Sequence, residues 1–206
     1  LTGVRSLAGF TPDERLAWAK GLPFAVPTLA ENPAPEVLYW VGCAVAFDPR
    51  AQKIARSMAE LFNAAGIDWA VIGKEEKCTG DTARRTGNEY LFAQMAEGNV
   101  AVLNDIKAQP VVTTCPHCFH TIGNEYPQFG GNYVVKHHSD FIGELVKAGK
   151  LKLNGAANDS ITYHDPCYLG RHNGIFDEPR GLIQATGAKL TEPSRTRQNS
   201  FCCGAG

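Results

Sequence analysis

The chain has 206 residues, 44% hydrophobic and 20% charged, with a formal net charge of −1. That is enough apolar material for one large domain or two small ones, with no basic footprint for nucleic acid and no apolar run near the roughly 20 residues of a membrane span. Seven cysteines, several in CxxC or CC pairs, point to reduced thiolates at a metal or redox site in the cytoplasm rather than to a disulfide-stapled secreted domain.

Residues 1–36 read as a lead-in or linker. A short amphipathic helix is expected from Thr11 to Lys20, with Thr11 as N-cap, Pro12 at the first helical position and Glu14 at the third. Pro23, Pro27, Pro33 and Pro35 then break the pattern. Val37 to Gly42 is a continuous apolar run and predicts a buried strand. Ile54, Met58, Leu61 and Phe62 recur at helical spacing over 49–65, and Gly66 stops that helix. Trp69 to Ile72 predicts a second strand, so 37–72 is a βαβ unit of a parallel sheet. A long helix is expected from Thr82 to Ile106, interrupted at Gly98, with Arg84 and Arg85 near its start, where cations oppose the helix dipole. Those arginines either face an anionic site or lie on a solvated face. Pro110 to Thr114 is a third strand, with a helix starting near Pro116. Val134-Val135 is a fourth strand, and Phe141, Leu145 and Val146 mark a helix ending near Gly149. The polar stretch 154–159 divides a first half, 37–153, from a second, 160–206. The second half opens with a strand at Ser160–Tyr163, continues with a helix from Pro179 to Thr186 and closes with a strand at Ala188–Leu190.

The cysteines impose a further order on these elements. Cys43 is followed 35 residues later by Cys78, and Cys167 is followed 35 residues later by Cys202, so both pairs are related by one 124-residue offset. Internal repeats of this kind govern the reading of the whole fold. The first set continues to Cys115-Pro116-His117-Cys118; the second has Cys202-Cys203, and the same offset places its CxxC beyond Gly206. The second set therefore reads as cut short, and the chain, which opens on Leu1 with no signal-peptide pattern, as part of a longer polypeptide. Cys43, Cys78 and Cys115 each follow a strand, so in a parallel sheet they converge at the carboxyl edge, where ligands gather.

Four thiolates suit an iron–sulfur cluster, and Gly42 and Gly80 allow the backbone to come close to a bulky inorganic core. Three readings compete. Zinc also takes four thiolates, but two ligands about 35 residues apart are unlike the close knuckles of a zinc ribbon. A strand-CPHC-helix arrangement suits a thiol–disulfide oxidoreductase using Cys115 and Cys118, yet leaves five other cysteines unexplained. Buried cysteines acting as small hydrophobes account for one or two, not seven in register.

The pattern of Cys43…Cys78-Thr79-Gly80…Cys115-Pro116-His117-Cys118, followed by His164-Asp165-Pro166-Cys167-Tyr168-Leu169-Gly170-Arg171-His172-Asn173 and Phe201-Cys202-Cys203-Gly204-Ala205-Gly206, resembles the cysteine-rich CCG domain over residues 37–206. That domain defines a cluster-holding component of heterodisulfide reductase and related iron–sulfur oxidoreductases, among them the iron–sulfur subunits of glycolate, lactate and anaerobic glycerol-3-phosphate oxidation and membrane-associated electron-transfer-flavoprotein–quinone reductases. The run Gly80-Asp81-Thr82-Ala83-Arg84-Arg85, with Gly87-Asn88-Glu89 and His137-His138, fits the quinone-linked, ferredoxin-fused branch. The resemblance implies an α/β fold of two Rossmann-like halves with parallel sheets, related by an internal pseudo-twofold repeat. It implies an iron–sulfur electron-transfer module that accepts electrons from a flavoprotein or ferredoxin-type cluster and passes them to a quinone or disulfide. A membrane cytochrome or quinone-reducing partner follows, with a position in the cytoplasm or at the cytoplasmic face of a membrane.

The family pattern has five cysteines per half, and this chain departs from it twice. Thr79 stands where the second cysteine of the first CC pair is expected, leaving Cys43, Cys78, Cys115 and Cys118 as a set suited to an ordinary [4Fe–4S] cubane. Cys167, Cys202 and Cys203 would contribute to a second cluster that lacks its CxxC. His117, His120 and His164 are candidates to donate to a cluster or carry a proton, against the commoner reading of satisfied structural histidines. The same structural reading is stronger for His137 and His138.

Overall fold

The computed structural model describes residues 11–106, 109–155 and 159–204. Residues 1–10 of the expected lead-in and 156–158 of the expected boundary thus lie outside the described residues.

The first cysteine set is carried by a four-stranded, all-parallel sheet in the order β2-β1-β3-β4. Its strands are β1 (Val37–Trp40), β2 (Trp69–Ala70), β3 (Val111–Thr113) and β4 (Val135–His137). All four residues of β1 are buried, because helices cover both faces of a parallel sheet and leave neither for water. The two-residue alternation of a strand then sorts them. Val37 and Tyr39 face one core, with Met58, Phe62, Trp69 and Phe141. Leu38 and Trp40 face another, with Phe92, Val100, Leu103 and Tyr126. Around Tyr39 the aromatic rings of Trp18, Phe62 and Trp69 pack with centroids 5.5–6.5 Å away.

The helices are α1 (Cys43–Phe47), α2 (Gln52–Ala64), α3 (Asp81–Arg85), α4 (Glu89–Asp105), α5 (Pro116–His120), α6 (His138–Lys147) and α7 (Asp177–Ala185). Two features differ from expectation. The expected helix over 82–106 is two helices, and the break falls at Gly87, not Gly98. Gly87 takes φ +84°, a left-handed value that favours glycine, and the Asn88 side chain then caps α4 by accepting from the Leu91 amide at 3.1 Å. Arg84 and Arg85 consequently sit in the last turn of α3, where the helix dipole favours cations. The second difference is at the lead-in. The expected helix is present at Pro12–Ala19, with the Thr11 amide donating to Glu14 at 2.8 Å, but it is a 3₁₀ helix. Three residues per turn put Arg15 and Trp18 on one inward face, and both are buried.

A second, two-stranded parallel sheet joins β5 (Ser160–Ile161) to β6 (Lys189–Leu190) through α7. Helix α7 packs on α6, and its Leu182 lies against the first core. The fold class is α/β with parallel sheets, as expected. No helix among the described residues is long and apolar enough to cross a membrane.

Candidate functional site

The chain leaves β1 through Gly42, at φ +78°, and Cys43 is the first residue of α1. Cys115 leaves β3 and caps α5, with Cys118 inside that helix. Cys78 lies between β2 and α3. These segments meet around the Cys118 sulfur. A Cβ added to Gly42 would stand 3.4 Å from the Cys118 Sγ. The Thr79 hydroxyl is 3.9 Å from the same sulfur. The Gly80 amide donates to the Cys78 Sγ at 3.5 Å. All four cysteines are free thiols, and Cys118 is the most enclosed, at 7% exposure.

The thiols act on one another as two pairs. The bond between Cys43 and Cys78 pushes Cys43 up, as does burial, and pulls Cys78 down. The bond between Cys115 and Cys118 pulls Cys115 down and holds Cys118 protonated, again helped by burial. Among the described residues, no three His, Cys, Asp or Glu side chains are gathered for a single metal ion. The donor set does fit an iron–sulfur group: four thiols from three chain segments, two at helix N-termini, with glycine where the backbone passes Cys118.

A buried ion pair braces this centre. The Arg15 guanidinium donates through Nη1 to Glu76 at 2.8 Å and through Nη2 to the Cys43 Sγ at 3.3 Å. Glu76 also accepts the amides of Val41 at 3.1 Å and Gly42 at 2.9 Å. Arg15 and Glu76 are 3% and 2% exposed.

At the second set, Cys167 follows β5 and the loop His164-Asp165-Pro166. Asp165 anchors that loop. Arg180 grips it with two bonds of 2.7 and 2.8 Å, and the Thr196 hydroxyl and Arg197 amide add bonds of 3.0 and 2.7 Å. Burial alone would raise the Asp165 carboxyl, but these donors outweigh it and hold it at about 2. Arg171 donates through Nη2 to the Cys167 Sγ at 2.7 Å and through Nη1 to the Ser200 carbonyl at 2.6 Å. The Gly204 amide donates to the Cys202 Sγ at 3.3 Å. That bond, then the Cys167 thiol, draws Cys202 down. Cys202 and Cys203 are exposed.

The segment after Cys167 lies against the CxxC turn. The Tyr168 ring sits 4.3 Å from the ring of His117, stacks on His172 at 4.5 Å and lies under the Arg85 guanidinium at 5.1 Å. Asn173 reaches His120 Nδ1 at 3.1 Å and accepts from Asn124 at 2.7 Å. His117 bonds Asp81 at 2.7 Å, which raises its pKa, while burial lowers that of His120. Arg85 bridges Asp81, at 3.0 Å, and Glu125.

The candidate histidines therefore separate by environment. His117 and His120 lie between the two cysteine sets; His164 is exposed on the loop before Cys167. His137 is buried and bonded to Ser139 at 2.8 Å and to the Thr114 carbonyl at 3.3 Å, with burial first and the neighbouring His138 second holding it down at about 3. Sequence reasoning missed Arg15, Glu76, Asp81, Tyr168 and Arg171. Arg171 lies four residues after Cys167, but no spacing rule joins a guanidinium to a thiol, and nothing in the sequence linked Arg15 to Cys43.

Known proteins resemble this chain over most of its length. The family described as CCG, cysteine-rich domain, matches residues 37–123 and 161–206. The chain is 43% identical over 204 residues to the "Probable iron-sulfur-binding oxidoreductase FadF" of Bacillus subtilis, covering 96% of this chain and 29% of that protein. It is 42% identical over 171 residues to the "EtfAB:quinone oxidoreductase" of Syntrophomonas wolfei, covering 83% and 24%. It is 33% identical over 200 residues to one polypeptide of the dihydromethanophenazine:CoB–CoM heterodisulfide reductase of Methanosarcina barkeri, covering 94% and 47%. The chain thus spans less than half the length of each of these relatives. No solved structure matches it.

Proposed function

The chain belongs to the cysteine-rich CCG domain family, and from that membership and the geometry above we propose that it is an iron–sulfur electron-transfer module of an oxidoreductase. The observation that carries the reading is the meeting of Cys43, Cys78, Cys115 and Cys118 at the carboxyl edge of one parallel sheet, with Gly42 leaving room beside Cys118. These four thiols would hold one [4Fe–4S] cluster. Cys167, Cys202 and Cys203 would contribute to a second centre. When bound, such a cluster supplies one-electron transfer at a potential set by charge and hydrogen bonds around its sulfurs.

The electron donor would be a flavoprotein or a ferredoxin-type cluster, and the acceptor a quinone or a disulfide, as the names of the relatives suggest. Either acceptor takes two electrons and two protons, to a quinol or to two thiols. His117 and His120, between the two cysteine sets, are placed to hold protons there. The protein would work in the cytoplasm or against the cytoplasmic face of a membrane; one relative, at 42% identity, is called a "Probable membrane-anchored ferredoxin".

We also propose that the two halves are pseudo-equivalent. Contacts that recur at the 124-residue offset support this: the Gly80 amide donates to the Cys78 Sγ as the Gly204 amide does to the Cys202 Sγ, and the same pair of positions meets in both halves, Glu76 accepting from the Val41 amide and the Ser200 hydroxyl donating to the Asp165 carbonyl.

A second reading has its own observation. Cys115 caps the N-terminus of α5 and Cys118 is enclosed within that helix, the placement of an attacking thiol and its resolving partner in a dithiol oxidoreductase. Rapid mixing separates the two. Anaerobic protein reduced by a flavoprotein and reoxidised by a quinone or a disulfide should show the visible absorption of a cluster bleaching and returning. Turnover by metal-free protein, with Cys115 and Cys118 cycling through a disulfide, would overturn the cluster reading.

A further inference from the structure

Each cysteine set leads with one thiol that receives a guanidinium, and the two arginines come from unrelated places in the chain. Arg15 lies upstream of the residues matched by the family, in the 3₁₀ helix of the lead-in; Arg171 lies four residues after its cysteine. Yet the contacts correspond. In both, Nη2 donates to the leading sulfur, Cys43 at 3.3 Å or Cys167 at 2.7 Å. In both, Nη1 donates to the residue two before the next cysteine, Glu76 at 2.8 Å or the Ser200 carbonyl at 2.6 Å. Glu76 and Ser200 are themselves separated by the 124 residues that separate Cys43 from Cys167. The arginine therefore ties the first thiol of each set to the strand-end loop that delivers the second.

The two clamps differ in charge. At the first set the guanidinium is neutralised by Glu76, whose carboxylate is 2% exposed and carries two backbone amides besides Arg15. At the second set Nη1 meets an uncharged carbonyl and hydroxyl, so the full cation faces Cys167. An arginine keeps its charge in any protein environment, and burial removes the water that would otherwise screen it.

We propose that Arg15 is a positioning residue that sets the reduction potential of the Cys43 centre, with Glu76 as its built-in counterweight, and that Arg171 is its uncompensated counterpart at Cys167. This rests on the reading that the thiols hold a cluster. Reduction adds negative charge, so a cation at the sulfur favours the reduced state and an anion opposes it. The sign of each substitution follows. Arg15→Gln lowers the potential of the first centre, Glu76→Gln raises it, and Arg15→Gln/Glu76→Gln returns it toward the starting value. The expected change in each single variant is about tenfold in the one-electron reduction equilibrium, or about 59 mV.

The test is an EPR-monitored redox titration of the anaerobically reconstituted chain and these three variants, with iron content measured on each sample. Opposite shifts in the two single variants and a near-normal double variant establish the proposal; a merely structural role would lower iron content in all three without a sign change. Arg15→Gln leaves Glu76 buried and unpaired, so the double variant serves where that protein fails to fold. Normal iron content with potentials unchanged or shifted in one direction overturns the role of Arg15. Absence of iron from the unsubstituted chain overturns instead the cluster reading on which it depends.

Discussion

The two cysteine centres share their local contacts and differ in what stands behind them. The first lies on a four-stranded sheet with a core on each face; Cys118 is 7% exposed and the bracing ion pair less so. The second hangs from two strands of two residues each, and Cys202 and Cys203 are exposed beside Phe201, itself 64% exposed. The glycine amide at the second cysteine and the arginine at the first recur in both, so these contacts do not make the difference. Enclosure does: sheet, helices and lead-in together bury Cys118 and the Arg15–Glu76 pair and leave Cys43, Cys78 and Cys115 half-buried, whereas Cys202 and Cys203 are exposed. The electrostatics of the first centre are therefore strong and compensated, while the second is held by one anchored loop.

The largest expected effect separates the centres by their iron. Cys118→Ser should remove the iron of the first centre, a larger loss than the roughly 10–100-fold that an outer-shell change costs in metal affinity. Cys203→Ser should leave that iron in place. Metal analysis of the two variants side by side checks this; equal losses would erase the distinction.

The next effect falls on the second unit. Arg180→Ala strips the buried Asp165 of its bidentate partner, and breaking such a pair costs about 3–5 kcal/mol. Hydrogen exchange should show β5, α7 and β6 opening while β1 and β3 stay protected. Uniform loosening of both sheets would show that the two units unfold together.

Acid should act in the same place. The Asp165 carboxyl sits at about 2, below its ordinary 3.8. A depressed carboxyl contributes stability that is fully present above the higher value and is lost as pH falls through the lower one. Between about pH 4 and pH 2 the 160–199 segment should therefore lose protection progressively, and Asp165→Asn should flatten that dependence. An unchanged acid profile in Asp165→Asn would move the sensitive group elsewhere.

The smallest effect tests the close approach at the first centre. Gly42→Ala places a side chain at φ +78° and 3.4 Å from the Cys118 Sγ. The strained backbone costs about 1–3 kcal/mol, visible as a lower denaturation midpoint. Gly204→Ala also falls at a positive φ, +78°, but meets nothing within 4 Å, so its cost should be the backbone's alone.

The same contrast governs what was legible in the sequence. The apolar run of β1 announced a strand buried on both faces, and the cysteines after β1 and β3 could be placed at one sheet edge by topology alone. Those signals are local. The end of α3 was misread because hydrophobic spacing runs on through 82–106, whereas a positive φ at Gly87 and the Asn88 cap end the helix. Arg15 was invisible for another reason. Its partners Cys43 and Glu76 lie 28 and 61 residues away, and no local pattern connects an arginine of the lead-in to either. Arg171 lay within the motif itself, four residues from its cysteine, yet a guanidinium on a thiol has no spacing rule to announce it.

Iron, acid-labile sulfide and zinc content of the anaerobically purified chain, with EPR on the same sample, tests the central claim most directly. The account predicts about four irons and four sulfides held by the first centre, retained in Cys203→Ser and lost in Cys118→Ser. Zinc in place of iron, or metal-free protein in which Cys115 and Cys118 form a reversible disulfide, would contradict it.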